Sequence, residues 1–532
     1  MPEPTRLASW TLVASLSVSA CAVAQQTDAR NAVAGSGSGG SGGSGIPRTW
    51  DEARLDAQHV PLADARVHVT QVSAQTYYAM PERSLYRSYP IYHPDREPPG
   101  YLAELEQKEP EVLSFGTTRS RTEREWLEYG REVFQLPTGS DADAFGTIVS
   151  REQVRDPRWY EQVSWDRDTG IMPYARWWIR EKGKVEVGTL SCAMCHTRVM
   201  PEGGMVTGAQ GNFPFDRNGA EIMRAALPAF PDEQQALAAY RSFDVLLYGI
   251  PWRMADPFER LAPVTLEKYI AIYAAIPPGV LARFGTSPLQ PVQVPDLIGV
   301  RHRRYLDRTG LVRHEEIGDL MRYAALNQAA EVLTRYGDFV PAGPDLSQIS
   351  PALLTRFSDE QLYALAKYIY ALTPPANPNL PRTTEQRGHV ARGKKVFERL
   401  NCGLCHRPPL YTNNRLTPVA GFEVPSAHLT TYAVTELALG TDPGLTLETR
   451  RGTGYYKVPS LLGVWYRGPF EHNGSIATLE DWFDPRRLAD DYVPTGWKGP
   501  PGTTHRAVRG HVYGLNLPAA DREALIAFLR TL

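Results

Sequence analysis

The chain has 532 residues, 42% of them hydrophobic and 22% charged, and carries a formal net charge of -2. That length is too great for one compact core and predicts two or more domains. The balanced charge gives no polyanion-binding surface, so nucleic acid is not an expected partner, and after the N-terminal segment no apolar run is long enough to span a bilayer.

Residues 1–24 read as an export signal, with Arg6 ahead of a mostly apolar run from Leu7 to Ala24. Two processing readings compete. Ala22-Val23-Ala24 offers a small-residue cleavage site before Gln25. Val18-Ser19-Ala20-Cys21 has the pattern of a bacterial lipobox, which would make Cys21 a lipid anchor. Residues 25–50 carry a Gly/Ser tract and are expected to form a flexible tether. The expected location is the periplasm of a Gram-negative type of cell, as a free protein or as an outer-membrane lipoprotein facing that space. The stretch before about residue 120, rich in Tyr, Pro and Arg, reads as an extended N-terminal wrap.

Five cysteines are present. Cys21 lies in the signal segment, and the other four form Cys192-Ala193-Met194-Cys195-His196 and Cys402-Gly403-Leu404-Cys405-His406. Both runs are C-x-x-C-H, the attachment motif of c-type haem. The two thiols can add to the two vinyl groups of one haem, and the adjacent histidine reaches the iron from the proximal side. A single run is also compatible with zinc or a redox dithiol. Two runs that use every cysteine of the exported part point to two covalently bound haem c groups, held by Cys192, Cys195 and His196 and by Cys402, Cys405 and His406.

A repeat frames these motifs. Gly130-Arg131-Glu132-Val133-Phe134 precedes the first, and Gly393-Lys394-Lys395-Val396-Phe397 precedes the second. Leu365, Tyr368, Ile369 and Leu372 share their helical spacing with Leu525, Phe528, Leu529 and Leu532. Pro374, Pro375, Pro378 and Pro381 then supply a linker. The expected fold is mainly α, as two cytochrome c-like haem domains. Residues 51–375 would hold the N-terminal extension and a first domain enlarged by insertions with a little β, and residues 385–532 the second. Lys184–Gly188 and Met205–Gly208 alternate in a way that suggests a short hairpin beside the first motif.

The group opposite each proximal histidine decides between electron transfer and catalysis. All nine methionines lie at or before Met321, so none local to the second domain can serve haem 2. His428, His472, His505 and His511 remain, and His511, just ahead of the terminal helix, is the favoured distal ligand. For haem 1 no histidine falls between His196 and His302. Met200, Met205, Met223, Met254 or His302 could ligate it. An open site is the preferred reading, with Trp252, Arg253, His302, Arg304 and Tyr305 as groups that could line a pocket.

The run Val458-Pro459-Ser460-Leu461-Leu462-Gly463-Val464-Trp465-Tyr466-Arg467-Gly468-Pro469-Phe470-Glu471-His472-Asn473-Gly474-Ser475-Ile476-Ala477-Thr478-Leu479-Glu480 resembles the signature of the bacterial dihaem cytochrome c peroxidase superfamily. That superfamily includes the enzyme that matures methylamine dehydrogenase and the rubber oxygenase. Its peroxidases typically have a distal histidine shortly after the first motif and a methionine after the second, and this chain has neither. The pattern is most similar to the rubber oxygenase branch, a resemblance that implies dioxygen binding at haem 1 and a non-reacting haem 2. It also implies a calcium ion between the domains, for which the sequence names no ligands. The expected function is a haem-dependent oxidoreductase that acts on peroxide, dioxygen or a small organic substrate, with a periplasmic electron donor or acceptor. The competing expectation is a pure electron-transfer dihaem cytochrome.

Overall fold

A computed structural model describes residues 45–114, 121–143, 148–254, 256–261, 263–341 and 355–532. The signal segment, Cys21 and nearly all of the Gly/Ser tract lie outside these residues. Two helix pairs anchor the molecule. In the first half α1 (Glu123–Gln135) crosses α2 (Asp359–Ala371), and in the second α3 (Thr384–Arg399) crosses α4 (Ala519–Arg530). Three of the four helices begin with reciprocal capping boxes, Thr122 with Glu125, Ser358 with Gln361 and Thr383 with Gln386. In each, a hydroxyl and a carboxylate or amide oxygen satisfy backbone donors left open at a helix start.

The repeat legible in the sequence sits at these crossings. α1 buries Gly130, Val133 and Phe134, and α3 buries Gly393, Val396 and Phe397. A methyl group on Gly130 would stand 2.0 Å from the Ala364 carbonyl oxygen, and one on Gly393 only 1.8 Å from that of Ala524. Glycine therefore lets each pair approach backbone to backbone. Leu365 and Ile369 in α2, and Leu525, Phe528 and Leu529 in α4, complete the two apolar seams. Each such side chain contributes about 2 kcal/mol by leaving water.

The mainly α expectation is corrected by the rest of the chain, and with it the description as two cytochrome c-like domains: 37% of the structure is helix and 14% strand. One four-stranded and five two-stranded sheets are present among the described residues. The large sheet is antiparallel, in the order β1 (Ser88–Tyr92), β3 (Ile171–Glu181), β4 (Lys184–Thr189), β2 (Gly139–Ser140). Its central strand is rich in Trp, Tyr and Ile, which suit a pleated half-buried surface. Tyr174, Trp177 and Ile179 from it join Ile91, Met172 and Val187 in a second hydrophobic core. The insertion and the N-terminal segment thus build a second core together, which helix periodicity around the motifs could not reveal.

The hairpin expected from Lys184–Gly188 and Met205–Gly208 forms differently. Lys184–Thr189 turns back on Ile171–Glu181 through Lys182-Gly183, and Met205–Thr207 pairs with Thr197–Val199. The N-terminal segment does wrap the first half: Val69–Gln71 pairs with Thr334–Tyr336, and Ser88–Tyr92 adds an outer strand to the sheet. α2 ends at Ala371 and α3 begins at Thr384, with irregular, largely exposed chain between them. No helix among the described residues is long and apolar enough to cross a membrane.

Candidate functional site

Each Cys-x-x-Cys-His run closes a tight turn that puts two thiols and an imidazole on one surface. In the first, Cys192–Cys195 forms a single helical turn whose Met194 N–H donates to the Ser191 hydroxyl at 3.1 Å. The His196 N–H then donates to the Cys192 carbonyl at 3.0 Å. In the second, Asn401 adopts a left-handed conformation, Cys402–Leu404 makes a 3-10 turn, and the His406 N–H donates to Cys402 at 2.9 Å. None of the four cysteines is in a disulfide, and all four are partly buried.

Each imidazole meets a backbone carbonyl. His196 Nδ1 lies 3.0 Å from the Pro295 carbonyl and His406 Nδ1 lies 3.1 Å from that of Tyr411. Burial lowers both pKa values to about 4, so both rings are neutral. A neutral ring that donates from Nδ1 leaves the Nε2 lone pair for a metal.

Across from His406 stands His511, with ring centroids 6.3 Å apart. Two metal–nitrogen bonds of about 2.1 Å, with roughly 1.1 Å from each nitrogen to its ring centre, span about 6.4 Å. The separation therefore suits one metal ion held by both rings. His511 is set by unusual means. Its backbone is left-handed, at φ 44°, and its N–H donates to Leu439 at 3.1 Å. Arg487, fully buried, binds the surrounding loop: its Nε donates to Trp482 O at 2.9 Å, Nη1 to Val508 O at 2.5 Å, and Nη2 to Gly510 O at 2.9 Å and His511 O at 2.8 Å. Burial lowers the His511 pKa.

The other histidines of this half are placed otherwise. His505 is exposed and bonded to Thr504, and His428 Nδ1 is 2.8 Å from the Tyr455 hydroxyl. His472 is buried, stacks on Tyr456 at 4.7 Å and has Nδ1 3.3 Å from the Glu471 carboxylate. Its run faces the first half, where Arg198 donates to Gly468 O at 3.0 Å and Gln210 to Pro469 O at 3.1 Å.

The candidate pocket residues of the first half do not converge. Trp252 stacks on Tyr336 at 5.7 Å, Arg253 is exposed, and His302 is exposed in a short 3-10 turn. Tyr305 is buried near the second motif, donates to the Tyr432 carbonyl and packs with Val60, Leu416 and Tyr455. Met200 packs beside Val206, Ile298 and Tyr466, Met205 is 37% exposed, and Met223 belongs to a separate core.

Two cavities complete the site. A cleft of about 700 Å³ opens beside Cys405 and is lined by Leu404, Arg407, Arg415, Leu429 and Val434. A smaller pocket lies where the halves meet and is lined by both Pro295 and Pro459. The first of these prolines accepts from His196, and the second acts on His406 through its backbone. Arg303, Arg308, Lys457 and Arg467 line the same pocket, with Asp296 as its carboxylate. Sequence reasoning missed these residues and Arg487, because single arginines and lysines carry no local sign of burial. Among the described residues no group of three or more His, Cys, Asp or Glu side chains is arranged to hold a metal ion.

No family model and no curated protein matches the chain. A solved structure of Kuenenia stuttgartiensis hydrazine synthase, pressurised with xenon, is similar over 49% of this chain and 79% of that one, at 17% identity and a TM-score of 0.28. A likeness of that size carries no functional argument.

Proposed function

We propose that the chain is an exported dihaem c-type cytochrome that works as an oxidoreductase. Haem 1, on Cys192, Cys195 and His196, is the reacting centre for peroxide or dioxygen. Haem 2, on Cys402, Cys405, His406 and His511, relays electrons from or to a periplasmic partner. The observation that carries this reading is the difference between the proximal histidines. His406 has a second imidazole across a metal-sized gap, whereas the first histidine to follow His196 in the chain, His302, is exposed in its turn. An iron held on both sides mainly carries electrons, and one with a weakly held face can bind an oxidant.

The residues fit the group. Both motifs offer paired thiols outside any disulfide, and the second adds a neutral imidazole and a cleft of about 700 Å³ beside Cys405, which are what a covalent haem requires. When bound, the haems supply the one-electron and oxygen chemistry. The chain's own part is orientation. The Pro295 and Tyr411 carbonyls fix the tautomer and ring plane of His196 and His406, and Arg487 fixes the loop that presents His511.

Low-temperature EPR and visible spectroscopy of the ferric protein, with and without cyanide, test the proposal. The expected result is one low-spin haem indifferent to cyanide and one high-spin haem that cyanide converts to low-spin. Two low-spin, cyanide-inert haems that stay so after half-reduction would sink the reactive-centre assignment in favour of a pure electron carrier.

A further inference from the structure

The small pocket where the halves meet is built from both. Arg303 and Arg308 reach it from the first half, Lys457 and Arg467 from the second, and the Lys457 N–H donates to the Arg308 carbonyl at 3.1 Å. One carboxylate, Asp296, stands among these four cations, 3.6 Å from Arg303 and 3.9 Å from Arg467. It also accepts from the Ile298 N–H at 3.0 Å and the Tyr466 hydroxyl at 3.3 Å. The nearby Asp307 is taken up by Arg451 and Arg283. Backbone carbonyls meet some of the donors: Ser460 accepts from Arg467 at 2.7 Å, Ile298 from Arg303 at 2.6 Å and Tyr305 from Lys457 at 3.2 Å. They offset none of the net charge. The Nε atoms of Arg308 and Arg467 are buried without a hydrogen-bond partner among the described residues, and both are donors. Burial, with Arg303 and Arg308 close by, pushes the Lys457 pKa well below its ordinary value. A buried surplus of cations is costly unless an anion completes it.

Size selects the anion. The pocket offers about 20 Å³, and roughly 10–15 Å³ admits one water-sized particle. A carboxylate or phosphate is too large for that space, and a monatomic anion is not. We infer that the pocket is a halide site, in which Arg308, Lys457 and Arg467 hold one chloride ion that closes the seam between the two halves. Chloride brings the missing negative charge and only accepts hydrogen bonds, which matches the donors left over there. A water molecule of the same size would bring no charge. Because Arg308 belongs to one half and Lys457 and Arg467 to the other, the ion binds the joined arrangement and stabilises it by mass action. The inference goes beyond the dihaem reading and does not depend on it.

Two measurements on the mature full chain test it. Crystals soaked in sodium bromide are expected to show an anomalous scattering peak in contact with Arg308, Lys457 and Arg467. Denaturant unfolding at constant ionic strength, with sodium chloride exchanged for sodium gluconate, should show stability that climbs with chloride. Once the site fills, the unfolding constant should fall about tenfold for each tenfold rise in chloride. Lys457→Met, which removes a cation and keeps the bulk, should lose most of that response. If this variant fails to fold, the bromide soak of the unsubstituted protein still decides. A pocket without a bromide peak would overturn the inference, as would equal stability in chloride and gluconate. Acetate or phosphate that stabilises as much as chloride, or a haem carboxylate seated in the pocket of the crystal, would overturn it too.

Discussion

The two motif-bearing halves start from one plan and diverge in how they hold the imidazole. Each presents its Cys-x-x-Cys-His turn near a Gly-x-x-Val-Phe helix that presses against a later helix. In the second half the acceptor for the proximal histidine, Tyr411, is five residues away. In the first it is Pro295, 99 residues away and beyond the inserted sheet. The second site is therefore organised by its own short loop, by the Pro459 backbone and by His511. The first depends on where the insertion folds. The difference teaches that a local attachment motif and the environment of its metal are separable: the turn is repeated and the surroundings are not.

His511→Ala should have the largest effect on this contrast. It is expected to convert haem 2 wholly from low-spin to high-spin and leave haem 1 unchanged in the EPR spectrum. A change at both haems would mean that the halves are not independent. Next come the helix crossings. Gly130→Ala and Gly393→Ala should each destabilise the chain by about 3 kcal/mol in denaturant unfolding, because the added methyl meets a carbonyl oxygen rather than a yielding side chain. Equal losses would show that the two crossings carry equal weight, and a much smaller loss at Gly130 would show that the sheet core supports the first half.

One pH effect arises within the insertion. Asp244 accepts from the Tyr269 and Tyr273 hydroxyls at 2.7 Å each, and burial raises its pKa to about 7. The folded chain keeps that proton to about pH 7, whereas the unfolded chain releases it near pH 4. Its contribution to stability is full below about pH 4 and is lost as the pH rises toward 7, by on the order of 4 kcal/mol. Asp244→Asn should flatten that slope in unfolding measured across this range, and an unchanged slope would remove Asp244 as its source. The smallest effect is expected from Arg487→Gln. Loss of its donors to the His511 loop should cost about 2 kcal/mol and give a mixture of low-spin and high-spin haem 2, with Arg487→Lys part-way back. An unaltered spectrum would show that the left-handed backbone alone positions His511.

Much of the framework was legible in local sequence. The apolar spacing of α2 and α4, the glycine-led runs of α1 and α3 and the proline-rich break after Ala371 are short-range patterns, and all appear in the structure. The sheet was not legible as a sheet. The partners of Ile171–Glu181 lie at Ser88–Tyr92 and Lys184–Thr189, on either side of it in the chain. Among the histidines, spacing left four candidates to face His406, and their roles separated only when burial and partners were known.

What the sequence by itself determined is the chemistry that lies within a few residues: two thiol pairs each with an adjacent histidine, and the helices that carry them. What only the tertiary structure decided is which groups meet across the chain: His511 opposite His406, Pro295 behind His196, Arg487 under the His511 loop, and four cations around one pocket. The physical reason is that a turn is specified by its own backbone sterics and hydrogen bonds. A buried charge or a facing ring is specified by the packing of segments far apart in sequence, where any one residue looks like an ordinary surface side chain.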